Sequence, residues 1–272
     1  MSVLPGRLVL LGHPVLHSLS PLFQNTALRH AGIPLVYEAL DVRPAELERV
    51  LDDLRSIGAA GNVTIPHKES AAALCDELTP IARRAGAVNT FWCEGGRLIG
   101  DNTDVGGFEV VAGELLDRRS RSRSSISVGL IGAGGAAAAV LAAVERWPGT
   151  RARVFSRSPD RTRRLCARFA PLAAAAPTAE EAARDADLVV NATPVGLVDD
   201  AMPVDPAGLG PHAAVIDLVY RPGGTAWVRA AARRRLRAAD GTPVLLEQGA
   251  LAFERWFGLL PDRQVMREAL AR

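Results

Sequence analysis

Gly132, Gly134 and Gly135, in the stretch "ISVGLIGAGGAAAAVLAAV", carry the plainest chemical signal in the chain. The apolar run Ile126 to Ile131 predicts a strand, and the alanine-rich segment after the glycines predicts a helix. Glycine is needed between them because the backbone must turn sharply and bring its N–H groups against a pyrophosphate, while the helix N-terminus adds partial positive charge. With Ala137 in the third place the pattern is G-x-G-x-x-A, and the phosphate contacts fall on Gly132, Ala133, Gly134, Gly135 and Ala136.

The next strand, "RARVFSRS", lies about 20 residues on, where a dinucleotide fold selects the ribose end of its ligand. An Asp or Glu there would take the ribose hydroxyls of NAD, but the chain has Ser156, Arg157 and Ser158, with Arg161 one turn later. A planar guanidinium flanked by hydroxyls suits a 2′-phosphate, so NADP is favoured over NAD. The competing explanation is a plain surface arginine in an arginine-rich chain. Further on, "DADLVVNATPVG" predicts a central strand whose carboxyl end carries Thr193, Pro194 and Gly196, at the edge where ligands sit in open parallel sheets.

Those residues need a frame, and the rest of the chain supplies one. Short apolar runs alternate with helical patterns, as in a mostly parallel sheet flanked by helices. "RLVLLG" (Arg7 to Gly12), "LVYEALDV" and "AAGNVTIP" predict strands, the last ended by Pro66. "SPLFQNTALRHAG" predicts a helix with Ser20 as N-cap, Pro21 at the first helical position and Gly32 as its stop. "PAELERVLDDLRSIG" predicts another, with Leu47, Val50, Leu51 and Leu54 on one stripe. "AVNTFWCEGGRLIGDNTD" predicts two strands around a Gly-Gly turn, ending at Asp104. A helix is then expected to end near Asp117, followed by the basic tract "RRSRSRSS" from Arg118 to Ser125. An RNA-binding tail is the sharper interpretation of that tract; a solvated loop fits its shortness and internal position better.

At 272 residues, with 48% hydrophobic and 23% charged residues, the chain has the composition of an ordinary soluble globular protein of two domains. A net charge of +2 makes no case for nucleic acid. Cys75, Cys93 and Cys166 have neither disulfide nor zinc spacing, so a reducing cytoplasm is expected. No apolar run reaches the roughly 18 residues of a membrane span. Monomer and homodimer are both allowed.

Seven motifs, "GHPVLHSLSP", "GNVTIPHKE", "GAVNT", "GDNTDVGGF", "GAGGAA", "SRS" and "VNATPVG", occur in an order and spacing that resembles the shikimate dehydrogenases over nearly the whole chain. The resemblance implies an α/β chain of two domains. An N-terminal substrate domain (1–104) is completed by C-terminal helices that return to it (241–272), and an NADP-binding Rossmann domain lies between (105–240). It implies reversible, NADPH-dependent reduction of 3-dehydroshikimate to shikimate, with Lys68 and Asp104 as the catalytic pair. It also implies that Ser18 and Ser20 hold the substrate carboxylate and that Thr64, Asn89, Asp104, Tyr220 and Gln248 bind ring hydroxyls. Leu218 and Gly241 join the cofactor contacts, and Asn62 braces the loop. No metal is implied. A hinge between the domains is expected to close on binding.

The physics agrees with these roles. Hydroxyl donors at a helix N-terminus make an anion site without an arginine. A ketone receiving hydride needs a proton donor and a fixed positive charge, and a lysine meets both needs. His67, next to Lys68, is a weaker choice of acid because its side chain should point away from its neighbour's; His13 and His17 are weaker still. The chain departs from the family pattern at Ala226, Pro243 and Val244, the last two where the nicotinamide pocket or hinge is expected. A quinate or aminoshikimate dehydrogenase, or a non-catalytic NADP-binding sensor, therefore stands beside the leading function.

Overall fold

The computed structural model describes residues 4–116 and 125–271. The tract from Arg118 to Ser124 and the expected helix end at Asp117 lie outside the described residues. The chain divides into two compact units, Met1–Gly107 with Leu245–Arg272, and Phe108–Val244.

The first unit begins β1 (Leu8–Gly12), α1 (Ser20–His30), β2 (Tyr37–Asp41), α2 (Leu47–Ser56), β3 (Ala60–Val63), α3 (Lys68–Leu74), β4 (Glu77–Leu78), α4 (Pro80–Ala85), β5 (Thr90–Glu94), β6 (Arg97–Asp101) and α5 (Thr103–Leu115). Its sheet has the order β2-β1-β3-β5-β6-β4, with β1, β2 and β3 parallel and the β5–β6 hairpin antiparallel. Gly95 and Gly96 turn that hairpin at φ +58° and +76°, values that glycine adopts without a Cβ clash. β1 is apolar throughout because both of its faces are covered. Leu8 and Leu10 enter one core with Phe23 and Leu28, whereas Val9 and Leu11 enter another with Leu47, Leu51, Leu54 and Phe91. Of the predicted α2 stripe, Val50 packs only partly buried against this second core.

The second unit runs β7 (Ser127–Ile131), α6 (Gly135–Val144), β8 (Arg151–Phe155), α7 (Pro159–Arg168), β9 (Ala173–Ala175), α8 (Ala179–Ala183), β10 (Leu188–Asn191), β11 (Ala214–Asp217), α9 (Ala226–Arg233) and β12 (Arg237–Ala239). All its strands are parallel, in the order β12-β11-β10-β7-β8-β9. Counted outward, that is the doubly wound dinucleotide-binding sheet, with its switch point between β7 and β10.

Two helices close the chain, α10 (Gly241–Phe257) and α11 (Arg263–Leu270). From Leu245 onward they belong to the first unit, where Leu246, Phe253, Trp256, Phe257 and Met266 share the core of Leu8, Phe23 and Tyr37. Hydrophobic burial of these large side chains ties the two ends of the sequence into one unit. Leu245 packs at the edge of that core, and Leu251 is half-buried. Pro243 is exposed in the first turn of α10, where no intrahelical N–H bond is lost, and the helix continues past it. Among the described residues no helix is long and apolar enough to cross a membrane, and no group of His, Cys, Asp and Glu could hold a metal.

Two local expectations are corrected. Ser20 is not the N-cap of α1: it is the first helical residue, Leu19 precedes it in αR conformation, and the Ser18 hydroxyl oxygen accepts from the Ser20 N–H at 3.2 Å. With Ser18 serving the helix end, the helix starts one residue earlier. Asp104 is not at a strand end either. β6 stops at Asp101, whose own carboxylate turns back to accept from the Asn102 N–H at 2.8 Å, and Asp104 falls in the first turn of α5.

Candidate active site

Lys68 opens α3 just past the turn that ends β3, and Asp104 lies in the first turn of α5. The Lys68 Nζ donates to Asp104 Oδ2 at 2.5 Å, with each side chain about one-sixth exposed, 16% and 17%. The Val88 N–H donates to the Lys68 carbonyl at 2.8 Å, fixing the start of α3 beside Asn89, the residue just before β5. The ammonium is thus held at a defined point while remaining within reach of a ligand.

Asn89 is the hub around this pair. Buried at 2% exposure, it directs Nδ2 to Asp104 Oδ1 at 2.9 Å, to Thr103 Oγ1 at 2.9 Å and to Gln248 Oε1 at 3.1 Å. Its Oδ1 accepts the Thr103 N–H at 2.7 Å, so the first turn of α5 cannot shift without breaking the network. Behind it, Asn62 donates to the Asn89 carbonyl at 3.0 Å, and the buried Tyr37 hydroxyl donates to Asn62 at 2.7 Å. Burial alone pushes the Tyr37 phenol well above its usual range, so it remains a donor. Lys68, Asp104, Asn89 and Gln248 are therefore one hydrogen-bonded cluster, joined across 159 residues of sequence.

Thr64 comes four residues before Lys68, with its N–H bonded to the Leu11 carbonyl at 2.8 Å and its methyl against Gly12. Among the described residues, neither the Thr64 hydroxyl nor the Ser20 hydroxyl has a hydrogen-bond partner. Ser20 is buried at 5% exposure on the first turn of α1, where a donor without a partner and a helix dipole together suit an anion. His67 is buried at 1% exposure, with Nε2 2.6 Å from the Val42 carbonyl, and so is spent on packing. His13 pairs instead with exposed Asp41 at 2.8 Å.

In the second unit the glycine turn has the geometry a pyrophosphate needs. Gly132 has φ +124°, and a Cβ there would stand 2.6 Å from the Ala192 carbonyl oxygen, on the loop after β10. At Gly134 a Cβ would meet nothing within 4 Å, leaving the backbone at the head of α6 open to a ligand. Ala133, Gly135 and Ala136 complete the turn, all half-buried. Past β8, Ser156 and Ser158 are engaged in holding the loop: the Ser156 hydroxyl donates to the Ser158 carbonyl at 3.0 Å, and the Ser158 hydroxyl oxygen caps α7 through the Arg161 N–H. Arg157 between them is exposed and has no partner among the described residues. These residues fit a dinucleotide carrying a 2′-phosphate.

Thr193 follows β10, and its hydroxyl and N–H both donate to Asn191 Oδ1, at 2.7 and 3.1 Å. Gly241 lies against Leu218, since a Cβ there would be 2.3 Å from the Leu218 carbonyl oxygen. Tyr220, half-buried, belongs to this second unit together with Leu218. Asn191, Asp217 and Thr225 form a buried network here that motif spacing does not reveal, because its members bond across the sheet and not along the chain.

Comparison with known proteins decides the lineage. The model of the shikimate dehydrogenase substrate binding domain matches residues 10–91, and that of the shikimate 5′-dehydrogenase C-terminal domain matches 241–271. Between them, residues 127–220 match the model described as NADP oxidoreductase, coenzyme F420-dependent. The shikimate dehydrogenase (NADP(+)) of Symbiobacterium thermophilum is 42% identical over 97% of this chain and 94% of its own length. The chain belongs to the shikimate dehydrogenase family. Among solved family structures, shikimate 5-dehydrogenase from Thermus thermophilus in complex with NADP(H) and shikimate is 41% identical, with a TM-score of 0.86 and 99% of both chains covered. Quinate dehydrogenase from Corynebacterium glutamicum in complex with NAD is also similar, at 29% identity and a TM-score of 0.87, covering 97% of this chain and 98% of that one.

Proposed function

We propose that this protein is an NADP-dependent shikimate dehydrogenase, reducing the ketone of 3-dehydroshikimate to the alcohol of shikimate and running in reverse with NADP. The observation that carries this function, in a chain of this family, is the Lys68–Asp104 bond of 2.5 Å inside the Asn89–Gln248 network. Reduced nicotinamide, when bound, supplies the hydride. Lys68 donates a proton from Nζ to the oxygen as negative charge develops there, and the neutral amine accepts that proton in the reverse direction. Asp104 holds the ammonium and accepts from a substrate hydroxyl. Asn89 keeps the Asp104 carboxylate in place while Asn89 and Gln248 present their amides to the ring, and Thr64 offers its unpaired hydroxyl. Ser18 and Ser20, at the head of α1, take the carboxylate. Tyr220 completes the set of substrate residues.

Gly132 to Ala136 seat the pyrophosphate, with Thr193, Leu218 and Gly241 toward the other half of the dinucleotide. Arg157, with Arg161, Ser156 and Ser158 around it, favours NADP over NAD, because a free guanidinium matches a phosphate and the end of β8 is followed by Ser156, Arg157 and Ser158 in place of an Asp or Glu. A binding-only sensor would have no use for a lysine fixed against an aspartate. Quinate or an amino-substituted analogue is the alternative substrate, and the likeness to the quinate dehydrogenase keeps it in the test. We place the protein in a reducing cytoplasm, in keeping with its three free thiols.

The experiment is a steady-state comparison of shikimate with quinate, each with NADP and with NAD, following absorbance of the reduced cofactor. The highest kcat/KM is expected for shikimate with NADP. A preference for quinate and NAD would move the protein to the other branch, and oxidation of neither acid would remove the dehydrogenase assignment.

A further inference from the structure

Asp217, the last residue of β11, is completely buried, yet none of the proposed chemistry uses it. Three segments bond to its carboxylate. Oδ1 accepts from Asn191 Nδ2, at the end of β10, at 2.8 Å and from the Val219 N–H at 3.1 Å, and Oδ2 accepts from the hydroxyl of Thr225, the N-cap of α9, at 2.7 Å. No cation pairs with it among the described residues. A buried carboxylate held only by neutral donors adds little net stability, since its desolvation cost offsets those bonds. Burial accordingly holds its carboxyl above the usual range, with Asp240 raising it further and its three hydrogen bonds opposing.

What the carboxylate does impose is geometry. Asn191 Oδ1 takes both the N–H and the hydroxyl of Thr193, while Asn191 Nδ2 also reaches the Val195 carbonyl at 3.1 Å. The Leu218 N–H donates to the Asn191 carbonyl at 2.9 Å, and the Gly241 N–H donates to the Val219 carbonyl at 2.9 Å. Thr193, Leu218 and Gly241 are therefore each one bond from a frame made of Asn191, Asp217 and Val219. In a doubly wound sheet the pyrophosphate sits at the switch point and the two nucleotide halves lie to either side. With Arg157 after β8 marking the adenosine side, the loops after β10 and β11 fall to the nicotinamide half.

We infer, resting on the NADP-dependent function above, that Asp217 is a positioning residue that sets the nicotinamide end of the cofactor by clamping the loops that carry Thr193, Leu218 and Gly241. Asp217→Asn separates geometry from charge. An asparagine keeps one carbonyl oxygen for Asn191 and Val219, and the Thr225 hydroxyl turns round to accept from the new amide. Asp217→Ala removes the clamp. Asn191→Ala cuts the link to Thr193 while leaving Asp217 two donors, and covers the case in which Asp217→Ala does not fold. Val189→Ala, a core change in β10, controls for plain destabilisation.

The test measures the NADPH dissociation constant by fluorescence titration, with kcat and both KM values alongside and the melting temperature of each variant. Asp217→Ala and Asn191→Ala should weaken NADPH binding or lower kcat about 10-fold or more, because small misplacements at a reacting centre are costly, with the KM for shikimate unmoved. Asp217→Asn should stay within about 3-fold, and Val189→Ala should lower the melting temperature without moving the dissociation constant. If Asp217→Ala and Asn191→Ala melt earlier but bind and turn over as wild type does, Asp217 is structural only and the inference falls. A wild-type protein that binds no NADPH would sink the functional assignment and this inference together.

Discussion

Lys68 and Asp104 are 36 residues apart in sequence, yet their side chains meet at 2.5 Å, each at the first turn of its own helix. A helix start is a stiff place to hold a charge: backbone bonds fix the Cα position, and only the side chain swings. Asn89 then removes that freedom for Asp104, since Nδ2 binds the second carboxylate oxygen at 2.9 Å.

Asp104→Asn should therefore damage two things at once. The ammonium loses its counter-charge, and one acceptor oxygen becomes a donating amide nitrogen, so Lys68, Asn89 and the substrate hydroxyl are left to share a single carbonyl oxygen. A fall in kcat of about 100-fold is expected, of the size of one misplaced catalytic group, together with a higher KM for shikimate. Steady-state kinetics at saturating NADP reads both. A rise in KM alone would leave Asp104 as a binding residue without a part in turnover.

Arg157→Ala should act on the cofactor and leave the cyclitol acid alone. A charge-assisted bond to a phosphate is worth about 1.5–3 kcal/mol, or roughly 10- to 100-fold in affinity. The KM for NADP should rise by that factor while the KM for NAD stays put, narrowing the preference between the two. An unchanged ratio would make Arg157 an ordinary surface residue.

The three thiols should be unreactive. Burial first, and then neighbouring Asp76, push the Cys75 thiol up to about 12, and burial also raises Cys93 and Cys166. At pH 8 few thiolates are present, and only thiolates attack. Activity should survive iodoacetamide treatment at pH 8; rapid inactivation with alkylated Cys75 would contradict this.

Asp217 makes a prediction about pH. Its carboxyl is raised in the folded protein, so in the window just above the unfolded value the native state holds more protons than the unfolded one. The stability that the protonated group contributes is full below the unfolded value, and it is lost as pH rises through the folded one. Asp217→Asn cannot ionise. Relative to wild type, the variant should therefore gain melting temperature as pH increases from about 4, a typical unfolded carboxylate value, toward neutrality. A difference between the two proteins that stays flat across that range would show that Asp217 does not titrate in this way.

The sequence displays some of this organisation and hides the rest, for physical reasons. The glycine turn at Gly132 is legible because a positive φ and a close approach to Ala192 leave one residue type able to serve. The Gly95–Gly96 hairpin and the doubly covered β1 are legible for similar reasons of turn chemistry and periodicity. β4, β9 and β12, two or three residues long, are too short to show any period and exist because neighbouring strands offer them an edge. Capping of α1 is a near miss: hydroxyls at Ser18 and Ser20 both look capable, but Leu19 holds the N-cap position without a side-chain bond, and Ser18 instead accepts from the Ser20 N–H. Gln248 meets Asn89 across most of the chain, a contact that family motifs suggest and that no local pattern predicts. The clamp at Asp217 is wholly tertiary and had no motif to announce it.

The most direct measurement is turnover of Lys68→Ala with shikimate and NADP, on protein shown to melt as the wild type does. Loss of a proton donor that acts mainly in the transition state should lower kcat by about 100- to 10,000-fold with little change in the KM for shikimate. Near-normal kcat in that variant would take Lys68 out of the mechanism and contradict the account at its centre.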